Sequence, residues 1–334
     1  MGAHPIRPDS PEAPRPPVQH DLGGATGGRV VTEHGTRGAL AEVLDLLDVR
    51  RTGRDRFRGD TGARRLPRLF GGQAVAQALM ACGRTVPDGR AAHSLHAYFL
   101  RAGDPSKPLE LTVRRIRDGR AFSVRHVRAG QNGRDVLELM SSFHAAEPGP
   151  RHQYGASPPQ PGPDDVPSLE HWLNPHRDVL PDWWTLPHPF ELRFFEEPTG
   201  LTRGRVREPV QRFWMRSAGP TPDEPLLHAC LVAYASDLTL LDPAIFPTGR
   251  SWYADPVIGA SLDHALWFHE IPRADSWLLC EQRSPVGAGG RAFTHFSMTN
   301  QLGRLVVTGA QEGLIREQAD VHGSVVVRDT EKEF

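Results

Sequence analysis

The sequence predicts an α+β protein built from two copies of one unit, a long central helix wrapped by an antiparallel sheet. Three observations predict it. The run over 70–82 opens on Gly71-Gly72 and continues through small and apolar residues with almost no charge. That describes a helix buried on most sides, whose glycines let another backbone or a ligand approach its N-terminus. Segments of strand length follow it, with Asp118-Gly119 and Asn132-Gly133 as hairpin turns between the last three. One helix followed by antiparallel hairpins is an α+β order, not the alternating order of a parallel sheet. The third observation is that this series occurs twice.

In chain order, 1–35 reads as a disordered tail. Pro5, Pro8, Pro11, Pro14, Pro16 and Pro17 precede Gly23, Gly24, Gly27 and Gly28, and such a stretch buries too little apolar surface to offset its ordering entropy. Order is expected near Ala39, where Leu40, Val43, Leu44 and Leu47 form one helical face, and a strand containing Phe57 follows. The buried helix and strands over 93–100, 109–116, 122–127 and 136–143 complete a first domain, 36–145. Residues 146–189 are rich in proline and read as a linker. Within it, His171, Trp172, Trp183 and Trp184 imply that parts dock on a surface. A second domain, 190–320, opens with Phe190, Leu192 and Phe194 in strand alternation, and 321–334 is a C-terminal tail.

The repetition is visible in several places. Gly119-Arg120-Ala121-Phe122-Ser123 returns as Gly290-Arg291-Ala292-Phe293-Thr294, and Asn132-Gly133-Arg134 is echoed by Leu302-Gly303-Arg304. His96-Ala97-Tyr98-Phe99 resembles Ala265-Leu266-Trp267-Phe268, and the helix from Gly71 matches 226–241 in order and character. The same order of helix, strand and hairpins in both halves points to internal duplication.

Composition excludes several classes. A net charge of −1 gives no support to a nucleic-acid partner. No apolar run approaches the roughly 18 residues of a membrane helix. Neither a signal peptide at the start nor a retention or lipidation signal at Glu331-Lys332-Glu333-Phe334 is seen, so a cytoplasmic protein is expected. Cys82, Cys230 and Cys280 lie far apart in apolar settings and read as core residues, not as a disulfide or zinc framework. His93 and His96 would face opposite sides of a strand, as would His264 and His269, so no metal is expected, and no cofactor. Gly287-Ala288-Gly289-Gly290-Arg291-Ala292 has the form of a dinucleotide loop, but a strand follows where that motif must open a helix.

Three side chains stand out. Asp237 lies in a largely apolar helical segment, 231–241, where a lone carboxylate is costly and must be hydrogen-bonded or used. The matching helix of the first half has no acid, although a helix-end carboxylate facing water remains the plain alternative. Gln311 shares a strand face with Leu305, Val307 and Gly309, so its amide needs buried partners. Ser261 is bland by itself, and Asp263, two residues on, would share its face in a regular strand and is the rival acid.

Five segments in order resemble the type II acyl-CoA thioesterase family of bacteria and peroxisomes. They are Phe70-Gly71-Gly72-Gln73, the stretch over 93–104, Tyr234-Ala235-Ser236-Asp237-Leu238, the stretch over 263–269, and Gln311-Glu312-Gly313. The resemblance runs from about Leu40 to Arg316 and implies a double hotdog fold, in agreement with the duplication. It places the catalytic aspartate, hydroxyl and glutamine on Asp237, Ser261 and Gln311, with serine where many bacterial members have threonine. It implies hydrolysis of fatty acyl-CoA to free acid and CoA. Asp237 would deprotonate the water, Ser261 and Gln311 would position it, and Gly71 and Gly72 or the start of the second helix would receive the oxyanion. The expected partner is the acyl-CoA substrate, with no nucleic acid and no membrane, and a homo-oligomer is allowed. Two alternatives stay open: a hotdog enoyl-CoA hydratase using Asp263-His264, whose adjacent side chains would face opposite ways, and a non-catalytic acyl-CoA binding protein.

Overall fold

The computed structural model describes residues 33–62, 68–154, 161–178, 180, 186–198, 201, 203–252 and 255–317. The C-terminal tail, Trp183, Trp184 and nearly all of the expected N-terminal tail lie outside the described residues. In chain order the elements are α1 (Glu33–Leu47), β1 (Arg50–Gly53), β2 (Arg56–Gly59), α2 (Gly71–Gly83), β3 (Arg90–Phe99), β4 (Leu109–Asp118), β5 (Phe122–Gln131) and β6 (Arg134–Ala145). They continue with α3 (Leu169–Leu173), β7 (Phe190–Phe194), β8 (Val210–Ser217), α4 (Pro225–Ser236), α5 (Asp242–Ile245), β9 (Val257–Ser261), β10 (Asp263–Phe268), β11 (Leu278–Ala288), β12 (Arg291–Asn300) and β13 (Leu305–Glu317).

Local chemistry accounts for the main elements. Helix α1 starts at Glu33, ahead of the expected Ala39, and buries Leu40, Val43 and Leu47. The β5–β6 turn has positive φ at both Asn132 and Gly133, the geometry that an Asn-Gly pair supplies in a two-residue hairpin. β1, too short and polar to stand out in sequence, pairs with the Phe57 strand β2. Phe190, Leu192 and Phe194 are the buried residues of β7.

Among the described residues all thirteen strands join one sheet, with neighbours in the order β1-β2-β4-β5-β6-β3-β10-β13-β12-β11-β8-β7, while β9 pairs with β13 off this path. At the middle, β3 and β10 pair antiparallel, Ala265 opposite His96 and Leu266 opposite Leu95. These are two of the segments that echo each other in sequence.

Helix α2 is buried from Gly72 to Cys82 and α4 from Leu227 to Ser236. They pack antiparallel: a Cβ on Gly72 would strike the carbonyl of Tyr234, and one on Gly83 would strike the side chain of Leu226. Small residues thus set how closely the two helices approach. The ends of the helices differ in charge. α2 is followed by Arg84, paired with Asp48 at 2.5 Å, and α4 by Asp237. Helix α4 stops at Ser236, so Asp237 is its C-terminal cap and not an interior residue of a helix running to 241.

The proline-rich segment docks where it is described. Ser168 caps α3 by accepting from the N–H of His171, Trp172 Nε1–H donates to the carbonyl of Phe194, and Trp214 Nε1–H donates to that of Pro161. Val166 joins Trp214, Trp277 and Leu279 in a small apolar cluster separate from the main core.

Candidate active site

The site forms where the end of α4, the start of α2 and the strands β9, β10 and β13 meet. Asp237 is partly buried, and its carboxylate lies against the first turn of α2. A Cβ on Gly71 would stand 2.6 Å from Asp237 Oδ2, and the N–H of Gly72 donates to the carboxylate. The two glycines therefore let helix and carboxylate touch.

Ser261, the last residue of β9, donates its hydroxyl to Asp237 Oδ1 at 3.1 Å. Gln311 on β13 is 1 % exposed and donates its Nε2–H to Ser261 Oγ at 2.9 Å. Asp237, Ser261 and Gln311, each singled out from sequence, are brought together. Burial pushes the carboxyl of Asp237 up from its ordinary pKa, outweighing the His264 ring, the donors Ser261 and Gln311 and the Gly72 N–H, which all favour ionisation.

Asp263 does not join them. A regular strand would have put it on the face of Ser261, but the chain breaks at Leu262. Ser261 pairs with Gly313, whereas Ala265 pairs with Ala310, so four steps on one side oppose three on β13. The extra residue is a bulge, which reverses the inward–outward alternation. The bulge is held by the N–H of Leu262 donating to Glu312 and that of Phe99 donating to the carbonyl of Leu262, both at 2.9 Å. Asp263 turns outward and accepts the N–H of Glu312 at 2.7 Å. His264 turns inward to the face of Gln311.

His264 is the residue that sequence reasoning undervalued, having weighed it only as a metal ligand beside His269 and as a partner of Asp263. It is fully buried, with Nδ1 2.5 Å from Gln311 Oε1 and Nε2 2.9 Å from Ser236 Oγ. Ser236 in turn donates to the carbonyl of Ala233 at 2.9 Å. Asp263 and His264 face opposite ways and form no dyad. Among the described residues, no group of three or more His, Cys, Asp or Glu side chains could hold a metal ion. No described helix is long and apolar enough to cross a membrane.

A small cleft opens beside the first turn of α2, with Val43, Leu46, Leu69, Phe70 and Tyr234 in its wall. The edge of the Phe70 ring meets Tyr234 at 5.0 Å between centroids.

Comparison with known proteins shows the family. The acyl-CoA thioesterase N-terminal domain model matches residues 62–144 and the acyl-CoA thioesterase C-terminal domain model residues 126–315. Human acyl-coenzyme A thioesterase 8 is 36% identical over 293 residues, 84% of this chain and 91% of that protein. Acyl-CoA thioesterase 2 of Haemophilus influenzae is 32% identical, covering 83% of this chain and 98% of its own. The crystal structure of an acyl-CoA thioesterase II from Mycobacterium marinum superposes with a TM-score of 0.67 at 37% identity, over 83% of this chain and 99% of that one. A hot dog fold protein from Alicyclobacillus acidocaldarius, 20% identical, superposes at 0.69 over 83% of this chain and 98% of its own, a likeness of fold. The chain has the hotdog fold and belongs to the type II acyl-CoA thioesterase family.

Proposed function

We propose that the chain hydrolyses fatty acyl-CoA to free acid and CoA, with water activated at Asp237 and held by Ser261 and Gln311. The observation that carries this reading is the convergence of a carboxylate, a hydroxyl and an amide from α4, β9 and β13 on one point at the start of α2. A thioester carbonyl is electrophilic enough for direct attack, so a positioned water suffices. Asp237 takes its proton as the water oxygen bonds to the carbonyl carbon. The tetrahedral intermediate collapses, the C–S bond breaks, and the CoA thiolate receives that proton. Burial suits Asp237 to the task, because a carboxylate whose pKa is raised is a stronger base.

The N-terminus of α2 carries a partial positive charge at the place where the carbonyl oxygen becomes negative. Gly72 gives its N–H to Asp237. We assign the N–H of Gly71, which opens the same helix, to the oxyanion. The cleft beside Phe70 and Tyr234 has a wall suited to an acyl chain.

The division into two hotdog domains, 36–145 and 190–320 joined by 146–189, belongs to this reading. It is supported by the order of elements outward from the β3–β10 seam. On one side stand β3, β6, β5, β4 and β2, and on the other their counterparts β10, β13, β12, β11 and β8. In each set the outermost of these strands, β2 or β8, precedes the helix, α2 or α4, and the other four follow it in matching chain order.

The experiment is release of free CoA thiol by Asp237→Asn. Loss of a positioned general base costs on the order of a hundredfold to ten-thousandfold in rate, with acyl-CoA still bound. Hydrolysis at the wild-type rate would overturn the assignment.

A further inference from the structure

His264 has no part in the reaction just described, yet it is fully buried and both of its ring nitrogens are engaged. The direction of the bond to Gln311 follows from its partner, while Ser236 Oγ lies 2.9 Å from both Nε2 and the carbonyl of Ala233 and can give its one proton to either. On the other side Nδ1 faces the amide oxygen of Gln311, which has no proton to give. Nδ1 is therefore the donor in that bond.

From that ring every bond runs toward the carboxylate. His264 donates to Gln311 Oε1, Gln311 Nε2 donates to Ser261 Oγ, and Ser261 donates to Asp237 Oδ1. Turning the amide of Gln311 over exposes what is at stake. Its oxygen would then face Ser261 and draw the single hydroxyl proton, leaving a serine lone pair against the carboxylate, which an ionised Asp237 would repel. The first arrangement is held at two points, by Nδ1 against the amide oxygen and by the Asp237 carboxylate accepting from the amide nitrogen. The Gln311 side chain alone does not decide between the two, because its oxygen and nitrogen have nearly the same shape.

We propose that His264 is a positioning residue: its Nδ1–H fixes the amide of Gln311 so that Ser261 is turned to donate to Asp237. Asp263, the neighbouring acid, lies on the opposite face and caps the N–H of Glu312. This inference rests on Asp237 being the base.

Three variants test it together. His264→Phe keeps a flat ring and removes the Nδ1 donor. His264→Asn offers an amide N–H near the place of Nδ1–H. Asp237→Asn is the reference. In thiol-release kinetics His264→Phe is expected to lower kcat about tenfold to a hundredfold, the scale of a small misplacement of reacting groups, with KM nearly unchanged. His264→Asn should recover most of that loss. Equal losses in the two variants, or a loss confined to KM, would overturn the proposal. Should His264→Phe fail to fold, ¹⁵N spectra of histidine-labelled wild type, with the His264 signals assigned through His264→Asn, decide the matter. A proton on Nδ1 is expected at the pH of the assay, and a bare Nδ1 would overturn it. An inactive Asp237→Asn beside a fully active His264→Phe defeats this inference alone. An active Asp237→Asn defeats the reading beneath it.

Discussion

Gly71 stands so close to Asp237 that a single added methyl group would lie 2.6 Å from the carboxylate oxygen, and 3.0 Å from the ring of Phe99. Gly71→Ala should therefore push the proposed base away from Ser261. Overpacking of this kind costs about 1–3 kcal/mol, and the expectation is a folded protein with a modestly lower Tm and a kcat reduced about tenfold or more. Gly72→Ala meets the backbone of Tyr234 instead and should lower Tm further than Gly71→Ala does. Thermal melts and thiol-release rates of the pair separate the two effects.

Asp263→Asn is expected to do almost nothing. Its Oδ1 accepts the N–H of Glu312 on the outer face, and an asparagine oxygen can accept the same bond. Surface changes of this sort stay within about 0.5 kcal/mol, so thiol release should stay within about twofold of wild type. A large loss would mean that the outward acid takes part after all.

The hydroxyl of Ser261 both gives a hydrogen bond to Asp237 and takes one from Gln311. Ser261→Ala removes both and leaves the buried amide of Gln311 short of an acceptor, a cost of about 1–3 kcal/mol. Ser261→Thr keeps the hydroxyl. The expected order of kcat is wild type, then threonine close behind, then alanine far below. Wild-type rates for both variants would remove Ser261 from the site.

Asp237 makes the folded state sensitive to pH. Burial raises its pKa, so the folded protein holds this proton more tightly than the unfolded chain does. The stability this contributes is fully present below the unfolded value of about 3.9 and is lost as pH rises through the higher folded value. At neutral pH, Asp237→Asn should thus be more stable than wild type as well as inactive, and its advantage should shrink as pH falls toward 4. Denaturant melts at two pH values check the sign. The acid limb of wild-type kcat should likewise lie above the ordinary carboxylate range.

Much of this was legible in the residues, for a physical reason. The 70–82 run has nowhere polar to face, Asn132-Gly133 has the backbone freedom of its turn, and Gln311 sits in clean alternation with Val307 and Gly309. Each of these signals is local. The bulge at Leu262 is not local, because it exists only through the register of β9 and β10 on a strand fifty residues away, β13. Reading 261–268 as one regular strand put Asp263 beside Ser261 and hid His264. The docking of Trp172 on Phe194 was suggested by its aromatic character, whereas the small cluster of Val166 with Trp214 and Trp277 depends on strands that its own segment does not contain.

The two central helices end differently, one at Arg84 tied to Asp48 and the other at Asp237. On the proposed reading, one of two related corners has become a salt-bridged joint while the other kept its acid. Each polypeptide then holds a single reacting centre. A tight-binding inhibitor should titrate to one equivalent per chain, and any sigmoidal dependence on substrate would have to arise between chains and not within one.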